Sequence, residues 1–161
     1  MTQQPTNEIN EATQFGGFWI RVGAYFIDAV VLMIPVLLIS FLYRSVTLAA
    51  DEMEQAIVEF MDFSLKTIVW WVYCAVLHSS KWQATVGKKV VGLKVVDEKG
   101  NRISFGRATG RYFATFLSTL ILGIGYLMVG WTKKKQGLHD MIAGTYVIRS
   151  ENVQEDAPAG D

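Results

Sequence analysis

Three residues combine a type and a position that could do chemistry: Arg21, Asp28 and Asp140. Asp28 interrupts an otherwise apolar run over residues 22–43. An ionised carboxylate at that depth costs several kcal/mol unless it is paired, hydrated or protonated. Arg21 lies seven positions earlier, on the same helix face, but about 10 Å away along the axis. That separation rules out a direct ion pair, so Asp28 must find polar groups on other segments or trapped water. Such a carboxylate suits an ion or proton pathway or a polar ligand pocket, and it equally suits an anchor for helix packing. Asp140 sits in the run LHDMIAGT, just past Lys133, Lys134 and Lys135. From the inner membrane surface it could reach Arg21 or Arg111, and the plainer reading is a helix cap or a surface salt bridge.

Other residues carry weaker signals. His139 beside Asp140 makes no catalytic pair, because adjacent side chains on a helix or strand diverge. His78 reads as an interfacial polar residue, and the lone Cys74 as a small apolar one. Gly87-Lys88-Lys89 lacks the spacing of a phosphate loop and its following Ser or Thr. Lys88, Lys89, Arg107, Arg111, Lys133, Lys134 and Lys135 are candidates for contact with anionic lipid headgroups, although most such charge only sets topology. With no nucleophile, metal cluster or carboxylate pair in view, no enzyme activity, metal or cofactor is expected.

A membrane must position these groups. The chain has 161 residues, one domain by length, with 51% hydrophobic and 19% charged residues, where soluble domains carry about 25% charge. Fifteen basic residues balance fifteen acidic ones, which argues against nucleic-acid binding. A polar segment, 1–17, lacks the basic start of a secretory signal. Residues 22–43 make about 33 Å of helix, enough for a hydrocarbon core of about 30 Å, and Pro35 can kink such a span without ending it. The acidic stretch 44–66 reads as a short amphipathic helix on the membrane surface. A second span follows over about 63–79, with Lys66 snorkelling. Residues 81–111 hold eight basic and two acidic residues, a net +6. Within them VVGLKVVDEKGNRIS alternates β-branched and polar residues around a Lys99-Gly100-Asn101 turn and predicts a β-hairpin outside the bilayer.

The charge asymmetry orients the chain: the acidic loop outside, the basic loop and the N-terminus inside. The third apolar run, about 108–131, then leaves Lys133, Lys134 and Lys135 outside if it crosses once. Gly123-Ile124-Gly125 at its centre predicts a helical, re-entrant hairpin instead, with a single crossing as the alternative. The strand-like run Thr145-Tyr146-Val147-Ile148 could then pair with the basic-loop hairpin. The expected fold is an all-α membrane bundle. It has two transmembrane helices, the hairpin, a membrane domain over 18–149 with a loop at 81–107, and a small cytoplasmic β element. An acidic, disordered tail occupies 150–161.

These residues resemble the RDD family of small bacterial membrane proteins, named for one arginine and two aspartates. Arg21 and Asp28 match the R and the first D, and Asp140 in QGLHDMIAGTYVI matches the second. TVGKKVVGLKVVDEKG followed by GRATGR resembles the family's intervening loop. The resemblance implies a multi-pass protein of the bacterial cytoplasmic membrane, with transport of an ion or small ligand suspected, and supplies no catalytic residue or cofactor. Two functions fit. One is transport by a small, oligomeric bundle in which Asp28 binds a cation or proton. The other is a non-transporting membrane component that binds lipid or partner proteins, with Arg21, Asp28 and Asp140 as a structural polar network.

Overall fold

The computed structural model describes residues 13–46, 51–121 and 123–152, together with Ile9. Most of the polar segment 1–17 and, beyond residue 152, the acidic tail lie outside the described residues. Helix α1 (Phe18–Val46) runs 29 residues through Pro35 without ending. Phe26, Val30, Ile34, Leu37, Leu38 and Phe41 are exposed along it, a surface that suits lipid. Helix α2 (Glu52–Ser79) starts at Asp51, whose side chain accepts from the Glu54 amide at 2.9 Å. Both helices are long and apolar enough to cross a membrane.

Two expectations are corrected here. From Asp51 on, the acidic stretch is no separate helix but the opening turns of α2, which begins well before residue 63. Residues 51–79 contain no glycine or proline to break the helix, and Lys66 pairs with Asp62 at 2.5 Å one turn away, which offsets both charges. The hairpin around Gly100 does not form as a ladder either. Strand β1 (Leu93–Asp97) pairs antiparallel with β2 (Thr145–Arg149), Val95 opposite Val147. On its other edge the Val95 amide is taken by the Gln83 carbonyl at 2.6 Å. The return limb is thereby cut to one bridge, Val96 with Arg102. The turn itself survives, closed by Asp97, which accepts from the amides of Lys99 (2.9 Å) and Asn101 (2.8 Å).

The third apolar segment turns back. Helix α4 (Phe105–Leu120) is followed by α5 (Ile124–Leu127) and a 3-10 turn (Met128–Gly130), with a bend of 115° between the two limbs. Gly123 adopts φ +76° at the bend, a conformation that side chains with a Cβ resist. A Cβ on Gly125 would stand 2.7 Å from Ser118, so glycine there lets the return limb lie close against α4. Tyr126 then donates to the Thr115 carbonyl at 3.1 Å. A seven-residue second limb reaches only about 10 Å, and the segment is a bent helix pair that breaks where its central glycines predict.

Chain segments that share hydrogen bonds share a side of the membrane. Gly16 donates to the Val147 carbonyl (2.8 Å) and Arg149 to the Gln14 carbonyl (2.9 Å). The N-terminal flank, β1 and β2 therefore form one unit at one end of the helices. One face packs Leu93, Val95, Ile103 and Val147 on Ala75 of α2 and Ala108 of α4. The other packs Val96, Tyr146 and Ile148 beneath Ile9 and Phe15. Between α2 and β1, the short helix α3 (Val86–Val90) lies against α1, and α6 (Leu138–Ile142) lies against α4.

Gly87 permits the α1–α3 contact, because an added Cβ would stand 2.0 Å from the Ala24 carbonyl oxygen. Gly110, inside α4, has open space around the same position. Gly87→Ala is expected to destabilise the protein by about 1–3 kcal/mol or more, read as a fall of several degrees in apparent Tm in detergent. Gly110→Ala serves as the control and should leave Tm unchanged or raise it, since alanine is the better helix former.

Candidate functional site

The two acidic positions are built differently. Asp140 occupies the third position of α6 and is fully buried. Its Oδ2 accepts from the Gly137 amide at 3.2 Å and from Nη1 of Arg21, and its Oδ1 lies 2.7 Å from Nη2 of Arg111. Arg21 also donates from Nε to the Gly16 carbonyl (2.8 Å) and from Nη2 to the Lys135 carbonyl (2.5 Å). One guanidinium thus joins the N-terminal flank, α1, the lysine loop and α6. Lys135 takes φ +49° in presenting its carbonyl. Burial pushes the Asp140 carboxyl up, but Arg111 and Arg21 together outweigh it and hold the group well below the usual carboxylate range.

His139 does not diverge from its neighbour as adjacent helical side chains usually do, since its Nε2 comes within 3.4 Å of Asp140 Oδ1. Burial first, then the surrounding Arg111, Arg21 and Lys88, push its imidazole down to about 4 against the pull of Asp140. It is therefore neutral at pH 7, and the carboxylate is balanced by arginines alone.

Asp28 faces no cation. It is 5% exposed and accepts three hydrogen bonds: Tyr73 hydroxyl to Oδ1 (2.6 Å), Gly87 amide to Oδ1 (2.7 Å) and Thr85 hydroxyl to Oδ2 (2.6 Å). Among the described residues no Lys, Arg or His forms an ion pair with it. Thr85 is the N-cap of α3, and the Tyr73 hydroxyl in turn accepts from the Val86 amide at 3.1 Å. Asp28 thus joins α1, α2 and α3 through neutral donors, as the distance from Arg21 requires. Arg21 and Asp140 meet, whereas Asp28 is held by a different set of partners, Tyr73, Thr85 and Gly87.

The seven surface-cation candidates divide. Arg111 is buried on Asp140 rather than exposed, and its place on the inner face of α4 explains this. Lys88 turns inward, with Nζ 2.8 Å from Nε2 of the buried His78. Lys89 lies over the Trp82 ring at 3.7 Å and Lys134 over Tyr146 at 5.0 Å. Arg107 is half-exposed, 3.8 Å from Asp97. Lys133 is exposed, and Lys135 reaches the Gly130 carbonyl at 3.4 Å. Sequence reasoning missed Tyr73, Thr85 and Gly87 as the groups around Asp28. The Thr85 cap three residues before Lys88 was the one local signal for them.

The sequence model of the RDD family matches residues 15–144, a stretch that contains Arg21, Asp28, Arg111 and Asp140. Uncharacterized protein YxaI of Bacillus subtilis is 40% identical over 145 residues, 82% of this chain and 95% of its own. Uncharacterized membrane protein YteJ of the same organism is 29% identical over 144 residues, 85% of this chain and 82% of its own. A proline-rich antigen homolog of Mycobacterium tuberculosis shares 36% identity over 66 residues, 40% of this chain and 28% of its own. No solved structure matches.

Removing the carboxylate strands the buried Arg111 and the largely covered Arg21. Asp140→Asn is expected to cost about 3–5 kcal/mol, seen as loss of folded, monodisperse protein after extraction. The pH profile of the unsubstituted protein checks the sign. The folded carboxyl titrates below the unfolded value of about 3.9, so its contribution is complete above about pH 5 and fades as pH falls through the lower folded value. A wild-type Tm that declines already between pH 7 and 5 would point to another group.

Proposed function

We propose that this chain, which belongs to the RDD family, carries a cation or proton across the bacterial cytoplasmic membrane, with Asp28 as the exchanging carboxylate. The observation that carries this reading is the contrast between the two aspartates. Asp140 is matched by two arginines and stays ionised, which makes it a fixed strut. Asp28 is equally buried but is offset only by two hydroxyls and one amide. Dipoles can stabilise its negative charge, yet they leave it free to exchange a proton for a cation without breaking an ion pair. Tyr73 and Thr85 add oxygens that can turn from donor to acceptor, the ligand type a hard cation takes. The chain is read as a multi-pass, non-catalytic protein with its N-terminus inside. The basic face that carries β1, Arg107 and Lys133 belongs to that side by the positive-inside rule.

A second reading rests on the same three hydrogen bonds. They tie α3 to α1 and α2, and a membrane component that binds lipid or partner proteins needs such a tie as much as a transporter does. Asp28→Asn separates the two. The amide oxygen can keep the Gly87 hydrogen bond, and the Thr85 hydroxyl can rotate to accept from the new NH₂, so the variant should insert and fold. In proteoliposomes the wild-type chain is expected to dissipate an imposed proton, sodium or potassium gradient, and the folded Asp28→Asn variant to lose that flux at least tenfold. Equal flux in the two proteins would remove Asp28 from the pathway. No wild-type flux of any of these ions would leave the architectural reading.

A further inference from the structure

Beside the two aspartates the structure holds a third group of ionisable side chains that neither reading uses. Lys88 follows Gly87, whose amide binds Asp28, and its Nζ lies 2.8 Å from Nε2 of His78 on α2. His78 is buried. Among the described residues Lys88 has no carboxylate within ion-pair distance. Lys88 is half-buried, and an ammonium turned inward ordinarily has such a carboxylate, because an unpaired charge away from water is costly. We propose that the half-buried Lys88 and the buried His78 form a proton-binding site, one that holds a single exchangeable proton on a nitrogen pair.

The hydrogen bond sets the stoichiometry. Two donors cannot bond to each other, so an ammonium at Lys88 requires a lone pair on His78 Nε2 and places the imidazole proton on Nδ1. If the ammonium gives its proton to water, the neutral amine still bonds, as donor to Nε2 or as acceptor from an Nε2–H tautomer. The pair therefore carries one positive charge or none, and never two. The surroundings favour release. Arg111 of α4 approaches from one side with the same charge, and its buried Nη1 has no hydrogen-bond acceptor among the described residues. Asp140 of α6 is already committed to Arg21 and Arg111, and His139 beside it is neutral. Asp28 of α1 is occupied by its three donors, and Cys74 of α2 is a thiol. Burial first and Arg111 second push the Lys88 ammonium from its ordinary 10.5 down to about 7, with Asp140 pulling the other way. Its proton then exchanges near neutral pH. This site stands on its own geometry and holds whether or not Asp28 carries an ion.

The test follows the proton, not a flux. The unfolded chain keeps the Lys88 proton up to about pH 10.4, while the folded chain releases it near 7. Folding is thus favoured as pH rises between those values. In purified full-length protein the apparent Tm should climb from pH 7 to 9.5, and Lys88→Met should lack that climb and match or exceed the wild type at pH 6. Equal slopes in the two proteins would overturn the proposal. Independently of any variant's folding, ¹⁵Nζ-lysine NMR of the wild type should show one lysine with a midpoint near 7, and His78→Gln should displace that midpoint. A full set of lysines titrating above pH 9.5, or a midpoint indifferent to His78→Gln, would equally overturn it.

Discussion

Asp140, buried between Arg21 and Arg111, is the interaction on which the remaining structure depends. Three charges removed from water are tolerable only where each is answered by its neighbours. The answering groups come from distant parts of the chain: the Gly16 and Lys135 carbonyls on Arg21, the Gly137 amide on the carboxylate, and Arg111 from α4. The N-terminal flank, the first span, the returning third segment and α6 are thereby held to one point. The small sheet benefits directly, since α6 leads straight into β2 and Arg21 holds Gly16, whose amide bonds the strand.

Close approach of backbones is the second constraint, and it is met by glycine. Gly87 brings α3 against Ala24, which places an amide on Asp28, and Gly125 brings the return limb against Ser118. In both places a polar group inside the apolar region is satisfied because a side chain is missing. Tyr73, Thr85 and the Gly87 amide form a group of neutral donors around the Asp28 carboxylate, with partners different from those of the arginine-rich group around Asp140. The buried polar side of the bundle is divided into a part held rigid by full charges and a part held by dipoles. Lys88 and His78 belong to neither part.

Much of this plan is written locally. The two spans, the turn at Gly123-Ile124-Gly125 and the strand character of residues 145–148 follow from hydropathy, glycine placement and β-branching. The inability of Arg21 to pair with Asp28 follows from helical rise alone. The limits of local reading are as instructive. Acidic residues 51–62 look like a separate helix when counted one by one, yet an Asp62–Lys66 pair and an unbroken helical stretch make them the start of α2. The hairpin around Gly100 has the right alternation, but one edge of β1 is used by Gln83 and the other by β2. Arg111 sits in a run of surface-like cations, and only the packing of α4 on α6 turns it inward.

By itself the sequence determined that the chain has apolar segments long enough for a membrane, and that one carboxylate, Asp28, is out of place among them. These are consequences of composition, periodicity and reach along a helix, which depend on near neighbours in the chain. Tertiary structure alone decided which charge meets which. Asp140 found two arginines 119 and 29 positions away in the chain, and Asp28 found a tyrosine, a threonine and a glycine amide 45, 57 and 59 positions away. The physical reason is that charge compensation acts through space over a few ångströms in a medium with little water. A carboxylate's role, fixed strut or exchangeable group, is therefore set by whatever the fold brings to it.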